Sequence, residues 1–260
     1  MEIKEDYKIQ YAHITDVGCV RELNEDTLYC DDKLWLVADG MGGHACGEVA
    51  SQLAAKTISD EFSKSGELPK AIELAHKKIV EAAQSGNGQY GMGTTVVAVT
   101  SNGSGYQISW VGDSRAYLWD KLKGRLVQLS EDHSLMVRLL KSGLITAEDA
   151  KNHPQRHMIT QCLGSVEIDD VLVDSYFGDW QASQQLLLCS DGLSDDVSEA
   201  AMADILQLDI SNQEKLSKLT EIAKNLGGKD NISIVLIDSP VLKAPSLWQK
   251  LKAMFTKSTN

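Results

Sequence analysis

The chain has 260 residues, of which 43% are hydrophobic and 24% charged, a composition typical of a globular protein with a large core. Its net charge of −12 disfavours a nucleic-acid partner, because binding to phosphates requires a basic surface. The sequence has no apolar run of ~18 residues for a membrane span and no signal-peptide pattern. The five cysteines, odd in number and without a CxxC pair, predict buried, reduced thiols in a cytoplasmic protein.

Short strands are predicted in pairs that are joined by tight turns, and helices are predicted in separate groups. The predicted strands cover residues 27–30, 33–38, 94–100, 106–110, 114–119, 126–129, 185–189 and 232–237. The predicted helices cover residues 48–62, 69–83, 134–141, 147–152, 198–206 and 211–224. Ser211 and Glu214 have the spacing of a capping box at the start of the last helix. Because regular βαβ alternation is absent, the order favours an α+β fold with antiparallel sheet and outer helices. We expect one domain over residues 1–240.

Four aspartates lie where an apolar strand meets a turn, and three of these turns carry a glycine directly beside the aspartate. They are Asp39, Asp113, Asp191 and Asp230. A single aspartate in such a place usually caps a turn or a helix. Four that converge would repel one another, and the sequence has no matching set of nearby lysines and arginines. Divalent cations would cancel that repulsion, and an all-oxygen ligand set favours Mg²⁺ or Mn²⁺ over zinc.

Two neighbouring residues extend this hypothesis. Gly40 has no side chain, so its backbone carbonyl can turn towards an ion, and Asp39 is the best candidate for a ligand shared by two ions. Arg21 precedes Glu25 and Asp26. We interpret Arg21 as a bidentate phosphate ligand, and the alternative is a surface ion pair with Glu25.

The motifs together resemble a known family. They are RELNED, VADGMGGHACGEVAS, GMGTT, WVGDSRAYL, EDHSL, HPQRHMITQCLGS, LCSDGL and GGKDNISIVL. In this order, over about residues 14–237, they resemble the bacterial metal-dependent protein phosphatases of type 2C, the PPM family. The resemblance implies a four-layer αββα sandwich of two stacked antiparallel sheets flanked by helices. It also implies hydrolysis of phosphoserine and phosphothreonine by a metal-activated water, with Mn²⁺ or Mg²⁺ as the cofactor.

The resemblance also implies roles for individual residues. Asp39 would bridge two ions, one of them held also by the Gly40 carbonyl and Asp26 (or Glu25), and the other by Asp191 and Asp230. The resemblance allows a weaker third ion at Asp113 and Asp191, assigns Arg21 to the substrate phosphate, and places a mobile flap at about residues 133–164. None of the cysteines begins a C-x₅-R loop, so a cysteine phosphatase is disfavoured.

One position departs from the animal members of the family, which carry a histidine proposed as general acid two residues after the bridging aspartate. That position is Met41 here, as in bacterial members, so no residue is assigned to protonate the leaving oxygen. His44 is expected to pack against or cap the following helix. His133 and His153, each near a helix boundary, are expected to bond backbone groups.

The expected partners are phosphorylated proteins and an opposing serine/threonine kinase, and the expected state is a monomer. Two other functions stay open: a catalytically inactive phosphoprotein-binding module, and a small-molecule metallophosphoesterase. Residues 241–260 contain four lysines and no acidic residue, with apolar residues on one helical face. This basic amphipathic tail predicts either a terminal helix docked on the acidic body or a contact with a partner or membrane surface.

Overall fold

The structure, a computed structural model, describes residues 8–42, 46–85 and 91–241. Over these residues, strands and helices alternate in groups. The strands are β1 Tyr11–Asp16, β2 Thr27–Cys30, β3 Leu34–Ala38, β4 Gly40–Met41, β5 Gly93–Thr94, β6 Val96–Ser101, β7 Gly105–Val111, β8 Arg115–Asp120, β9 Arg125–Gln128, β10 Asp174–Asp179, β11 Gln184–Cys189 and β12 Ile232–Asp238. The helices are α1 Cys46–Ser65, α2 Leu68–Gln84, α3 Leu135–Lys141, α4 Ala147–Lys151, α5 Asp191–Ser194, α6 Glu199–Gln207 and α7 Asn212–Asn225.

Two five-stranded sheets form the centre of the protein. The first sheet has the order β1-β12-β11-β8-β9, the second has the order β10-β7-β6-β3-β2, and β4 and β5 form a separate short pair. The paired strands in both sheets run antiparallel. Helices α1 and α2 pack on the outer face of the second sheet, and α5, α6 and α7 pack on the outer face of the first. The predicted αββα sandwich is therefore confirmed.

Strand β3 explains why the central strands have unbroken apolar sequences. Its side chains alternate between the two faces of the sheet, as the period of a strand requires. Trp35 and Val37 point into the core between the sheets, whereas Leu34, Leu36 and Ala38 pack against α1 and α2. Because both faces are covered, every position of this strand favours an apolar residue.

Most predicted elements match the structure to within a few residues, but some boundaries and elements differ. The predicted strand 94–100 is wrong at Thr95, which separates β5 from β6 because its backbone N–H donates to the Asp39 carbonyl at 2.8 Å. The sequence analysis missed β1, β4, β10 and α5. Strand β10 lies at the edge of the second sheet and is largely exposed, so it lacks the apolar signal of the central strands.

Other sequence predictions meet the described residues only in part. Cys19 is exposed, and Cys30 and Cys162 are only half-buried, so the expectation that all five thiols are buried is wrong. His44 and, apart from Val241, the tail 241–260 lie outside the described residues. Within the described ranges, no helix combines the length and the apolar character that crossing a membrane requires.

The capping box that opens α7 provides a test of local stability. The Ser211 hydroxyl accepts a hydrogen bond from the Glu214 backbone N–H at 3.2 Å, and the Glu214 carboxylate accepts from the Ser211 backbone N–H at 2.9 Å. We expect Ser211→Ala to lower the free energy of unfolding by about 1 kcal/mol, measured by urea denaturation. The control Ser217→Ala, at an exposed position of the same helix, should change it by less than about 0.5 kcal/mol. Equal effects of the two variants would contradict a stabilising cap.

Candidate metal centre

Strand ends from both sheets meet at one cavity of about 330 Å³. Asp39 follows β3, Asp113 follows β7, Asp191 begins α5 directly beyond β11, and Asp230 lies just before β12. The cavity is lined by Arg21, Glu25, Asp39, Gly40, Met41, Gly42, Thr95, Asp113, His157, Ile159, Asp191 and Asp230. The structure therefore brings all four of the sequence-predicted aspartates to one place, together with Arg21 and Gly40.

Asp39 lies at the centre of the acidic cluster. Its carboxyl group lies close to the carboxyl groups of both Asp26 and Asp191. Burial raises the pKa of Asp39 well above its usual value, and the charges of Asp26, Asp191, Asp113 and Asp230 raise it further. Four acidic side chains thus act on Asp39, as the metal hypothesis requires.

Among the described residues, two buried carboxylate oxygens in this cluster lack a hydrogen-bond partner. They are Oδ1 of Asp26 and Oδ1 of Asp191. The other oxygen of Asp26 accepts a hydrogen bond from the Ser190 hydroxyl at 2.9 Å. Burial is the main reason that the pKa of Asp26 rises to about 6 and that the pKa of Asp191 rises well above its usual value. Unpartnered buried carboxylate oxygens are costly, and a hard cation would satisfy them.

Asp113 lines the same cavity as Asp191. Burial, followed by the charges of Asp132 and Asp195, raises its pKa to about 7. The chain reaches this position through Gly112, which has φ +108°, and a side chain there would collide with Thr95, whose Cβ and Cγ2 lie 2.6 Å from the added Cβ. Only glycine lets the chain leave β7 at this angle.

The cluster does not form a closed cage around a single point. Among the described residues, no group of three His, Cys, Asp or Glu side chains surrounds one position as a ready-made ion site. Mg²⁺ typically binds one or two carboxylates and completes its coordination shell with water or substrate oxygens. The open arrangement, with its unpartnered oxygens, therefore fits hard cations that keep part of their water shell.

Gly40 occupies a place where no side chain fits. A Cβ atom at this position would lie 2.2 Å from the Gly47 carbonyl oxygen and 2.5 Å from the Glu25 carbonyl oxygen. The Glu25 carboxylate also accepts a hydrogen bond from the Gly47 backbone N–H at 3.1 Å, near the start of α1. Three chain segments therefore meet as bare backbone beside the acidic cluster.

Arg21 lies at the rim of the cavity, half-exposed, and pairs with Asp230. Its Nη2 is 2.7 Å from Oδ2 of Asp230, and 49% of its side chain is exposed. The alternative interpretation, an ion pair with Glu25, is wrong in this structure, although the Glu25 charge contributes to the raised pKa of Arg21 after the hydrogen bond to Asp230.

Asn231 anchors the loop that carries Arg21. The Asn231 side chain, which is 4% exposed, donates to the carbonyl oxygens of Val17 and Leu23 at 3.0 and 2.9 Å and accepts from the Glu25 backbone N–H at 2.8 Å. One buried amide thus ties residues 17–25 to the start of β12, which explains how two distant segments hold Arg21 beside Asp230.

The histidines near helix boundaries bond backbone groups, as expected. The Nδ1 atom of His133 accepts a hydrogen bond from the Gly112 backbone N–H at 3.2 Å, and Nδ1 of His153 accepts from the Gln155 backbone N–H at 3.1 Å. His133 thereby supports the turn that delivers Asp113.

His157 is a cavity residue that the sequence analysis missed. It lines the cavity together with Ile159, and its Nδ1 lies 2.8 Å from Oδ2 of Asp195. His157 and Ile159 both lie in the segment predicted to be a flap beside the active site, and that prediction was the sequence signal for their position. No spacing rule distinguishes His157 from His153, because their placement depends on the tertiary path of the segment.

Known proteins resemble the chain over most of its length. The family model described as protein phosphatase 2C matches residues 21–227. The serine/threonine phosphatase stp of Listeria innocua serovar 6a is 40% identical over 244 residues, which cover 88% of this chain and 95% of that protein.

Two solved structures also resemble the fold of this chain over most of its length. The Mycobacterium tuberculosis serine/threonine phosphatase PstP/Ppp superposes with a TM-score of 0.81 at 35% identity, covering 91% of this chain and 99% of that chain. A structure of the PstP catalytic domain in complex with two manganese ions has a TM-score of 0.78 at 34% identity, covering 88% of this chain and 97% of that chain.

The raised pKa values predict how metal binding and pH act on stability. A carboxyl with a raised pKa binds protons more tightly in the folded than in the unfolded chain, so metal-free stability falls as pH rises from 3.8 towards about 6 for Asp26 and about 7 for Asp113. Because metal ions compete with these protons, we expect Mn²⁺ to raise the melting temperature more at about pH 7.5 than at about pH 5. Differential scanning calorimetry with Mn²⁺ or with chelator measures both values. An increase that is equal at the two pH values, or absent, would contradict a metal site at this cluster.

Proposed function

The chain belongs to the protein phosphatase 2C family and is a protein serine/threonine phosphatase, and we propose that it hydrolyses phosphoserine and phosphothreonine with divalent cations held by its aspartate cavity. The observation that carries this proposal is the position of Asp39, whose carboxyl group shares one cavity with Asp113, Asp191 and Asp230 and is also acted on by the charge of the buried Asp26. When bound, Mn²⁺ or Mg²⁺ would supply an activated water and offset negative charge on the phosphoryl group.

The proposed ligands divide the cluster between two ions. Asp39 would contact both ions, and the Gly40 carbonyl and Asp26 would complete the protein ligands of the first. Asp191 and Asp230 would hold the second ion. The partnerless oxygens of Asp26 and Asp191 support this division, because each leaves a lone pair for a cation. Asp113, whose raised pKa also reflects burial and acidic neighbours, would share a weaker third ion with Asp191.

Arg21 would bind the phosphoryl group of the substrate. Its guanidinium lies at the rim of the cavity and is half-exposed, so a phosphate entering from solvent would meet it first. The ion pair with Asp230 uses one donor of the guanidinium in the structure, and other donors stay available for phosphoryl oxygens. Asn231 would keep this loop in register with the cavity through its three hydrogen bonds.

The side chains that line the cavity favour attack by water over attack by a protein nucleophile. No cysteine lies among the described residues that line the cavity, and the Thr95 hydroxyl is engaged with Ser114 at 2.7 Å and with the Asp39 backbone N–H. Met41 lines the cavity at the position that follows Asp39 by two residues, and its thioether cannot donate a proton. A protein nucleophile is therefore not part of the proposal.

The proposed substrate is a phosphorylated protein, so a protein kinase must act before this enzyme. The relatives named as serine/threonine phosphatases support this class of substrate. We also propose that the enzyme acts as a monomer in the cytoplasm, where reducing conditions suit its exposed Cys19.

The first test replaces the shared ligand. We expect Asp39→Asn to reduce Mn²⁺-dependent hydrolysis of a phosphothreonine peptide by more than about a hundredfold, because loss of a ligand costs more than the 10–100-fold typical of supporting residues. The control Asp60→Asn changes an exposed carboxylate on α1 and should retain full activity. Equal activity of Asp39→Asn and the unmodified protein would refute the proposed mechanism.

A second test separates phosphate binding from metal binding. We expect Arg21→Ala to lower kcat/KM for the same peptide by about ten- to a hundredfold, since a charge-assisted hydrogen bond contributes about 1.5–3 kcal/mol. Removal of the Asp230 ion pair should leave Mn²⁺ affinity unchanged or higher, as measured by calorimetric titration. The matched control is Arg125→Ala, at an exposed position of β9. Weaker Mn²⁺ binding with unchanged kcat/KM would contradict the role assigned to Arg21.

A further inference from the structure

A second cavity, of about 300 Å³, lies at the opposite end of the first sheet from the aspartate cluster. Gln185 lines it at the beginning of β11, where it pairs in register with Asp238 at the end of β12. Strand β11 then runs over six residues towards Asp191, so the two cavities are about 20 Å apart along the strand. None of the residues assigned to metal or phosphate lines this second cavity.

The cavity contains a buried lysine. Lys215 of α7 is 4% exposed and lines the cavity. Among the described residues, its ammonium group has no hydrogen-bond or ion-pair partner, and the charges of Asp238 and Asp209 act on it only at longer range. Burial, followed by the like charge of Lys121, lowers the pKa of Lys215. The stem of Lys215 is buried, whereas its ammonium group reaches the solvent of the cavity, so this site favours an added anion.

Unsatisfied polar atoms lie in the same cavity wall. Oε1 of Gln185 and Oγ of Ser183 are buried and have no hydrogen-bond partner in the part of the chain that the structure describes. The orientation of the Gln185 amide is fixed, because its Nε2 donates to Oδ1 of Asp238 at 2.6 Å and to Oδ1 of Asn212 at 3.0 Å. Both oxygens are closed to solvent, so the cavity offers a ligand its lysines and not these acceptors.

The acidic residues around the cavity leave its two lysines available to an anion. Lys121 lies 3.4 Å from Asp209, whose side chain is fully exposed, and such a surface pair is easily replaced. Asp238 also lines the cavity, but both of its oxygens accept hydrogen bonds from the Asn212 amide and one of them also accepts from Gln185. Lys215 and Lys121 are thus the two groups on which an anion would bind.

We propose that this cavity binds the carboxylate or phosphate group of a small metabolite. Lys215 and Lys121 would contact this anionic group. The volume is at the lower end of the range for small-molecule sites. This proposal rests on the residues of the second cavity and does not depend on the proposed metal mechanism.

The test follows Lys215 itself by nuclear magnetic resonance. Full-length protein labelled with [ε-¹³C]lysine is titrated with inorganic phosphate and, separately, with acetate, and the two probes distinguish a phosphate from a carboxylate site. Absence of one signal in either Lys215→Met or Lys215→Arg assigns that signal, so the assignment survives if one variant fails to fold. Phosphate bound at the aspartate cavity does not interfere, because the observed atom is local to the second cavity.

We expect a saturable shift of the Lys215 signal with at least one probe, and an affinity about tenfold lower in Lys121→Met, which removes one charged contact. The control Lys218→Met, at an exposed position of the same helix, should leave the titration unchanged. A shift that stays linear with both probes, or equal affinities in Lys121→Met and Lys218→Met, would overturn the proposal.

Discussion

Mutual repulsion among buried carboxylates is the constraint on which the functional part of this structure depends. Burial, together with the charges of four other aspartates, raises the pKa of Asp39 well above the usual value. Arg21 is the one arginine among the described residues that line the cavity, and it contacts only Asp230 at its rim. A folded chain keeps such a cluster only if protons or bound cations compensate for it, which links the stability of the protein to its metal chemistry.

The two sheets place these carboxylates without relying on flexible side chains. Each aspartate comes directly before or after a buried strand or the helix next to it, so its backbone position is fixed by the core between the layers. Close backbone approaches then complete the site, because Gly40 and Gly112 leave no space for a side chain. Asn231 joins the loop of Arg21 to β12 by three hydrogen bonds. Rigid strands with bare turns at their ends therefore give a precise arrangement of charged groups.

The sequence could predict that Asp39, Asp113 and Asp191 lie at one cavity because their signal is local: an apolar run that ends at an aspartate with a glycine beside it. The central strands are predicted for the same reason. Strand β10 was missed because it is an exposed edge strand with polar residues. His157 and the ion pair between Arg21 and Asp230 were missed because they depend on which segments meet in space. The burial of Lys215 could not be predicted either, since an isolated lysine on a helix usually lies on its solvated face.

The most direct test of the account is a crystal of the full chain grown with Mn²⁺ and measured at the manganese absorption edge. The account predicts two strong anomalous peaks in contact with the carboxylate of Asp39, and allows a weaker third peak between Asp113 and Asp191. Density without manganese in this cavity, or manganese bound only elsewhere on the surface, would contradict it.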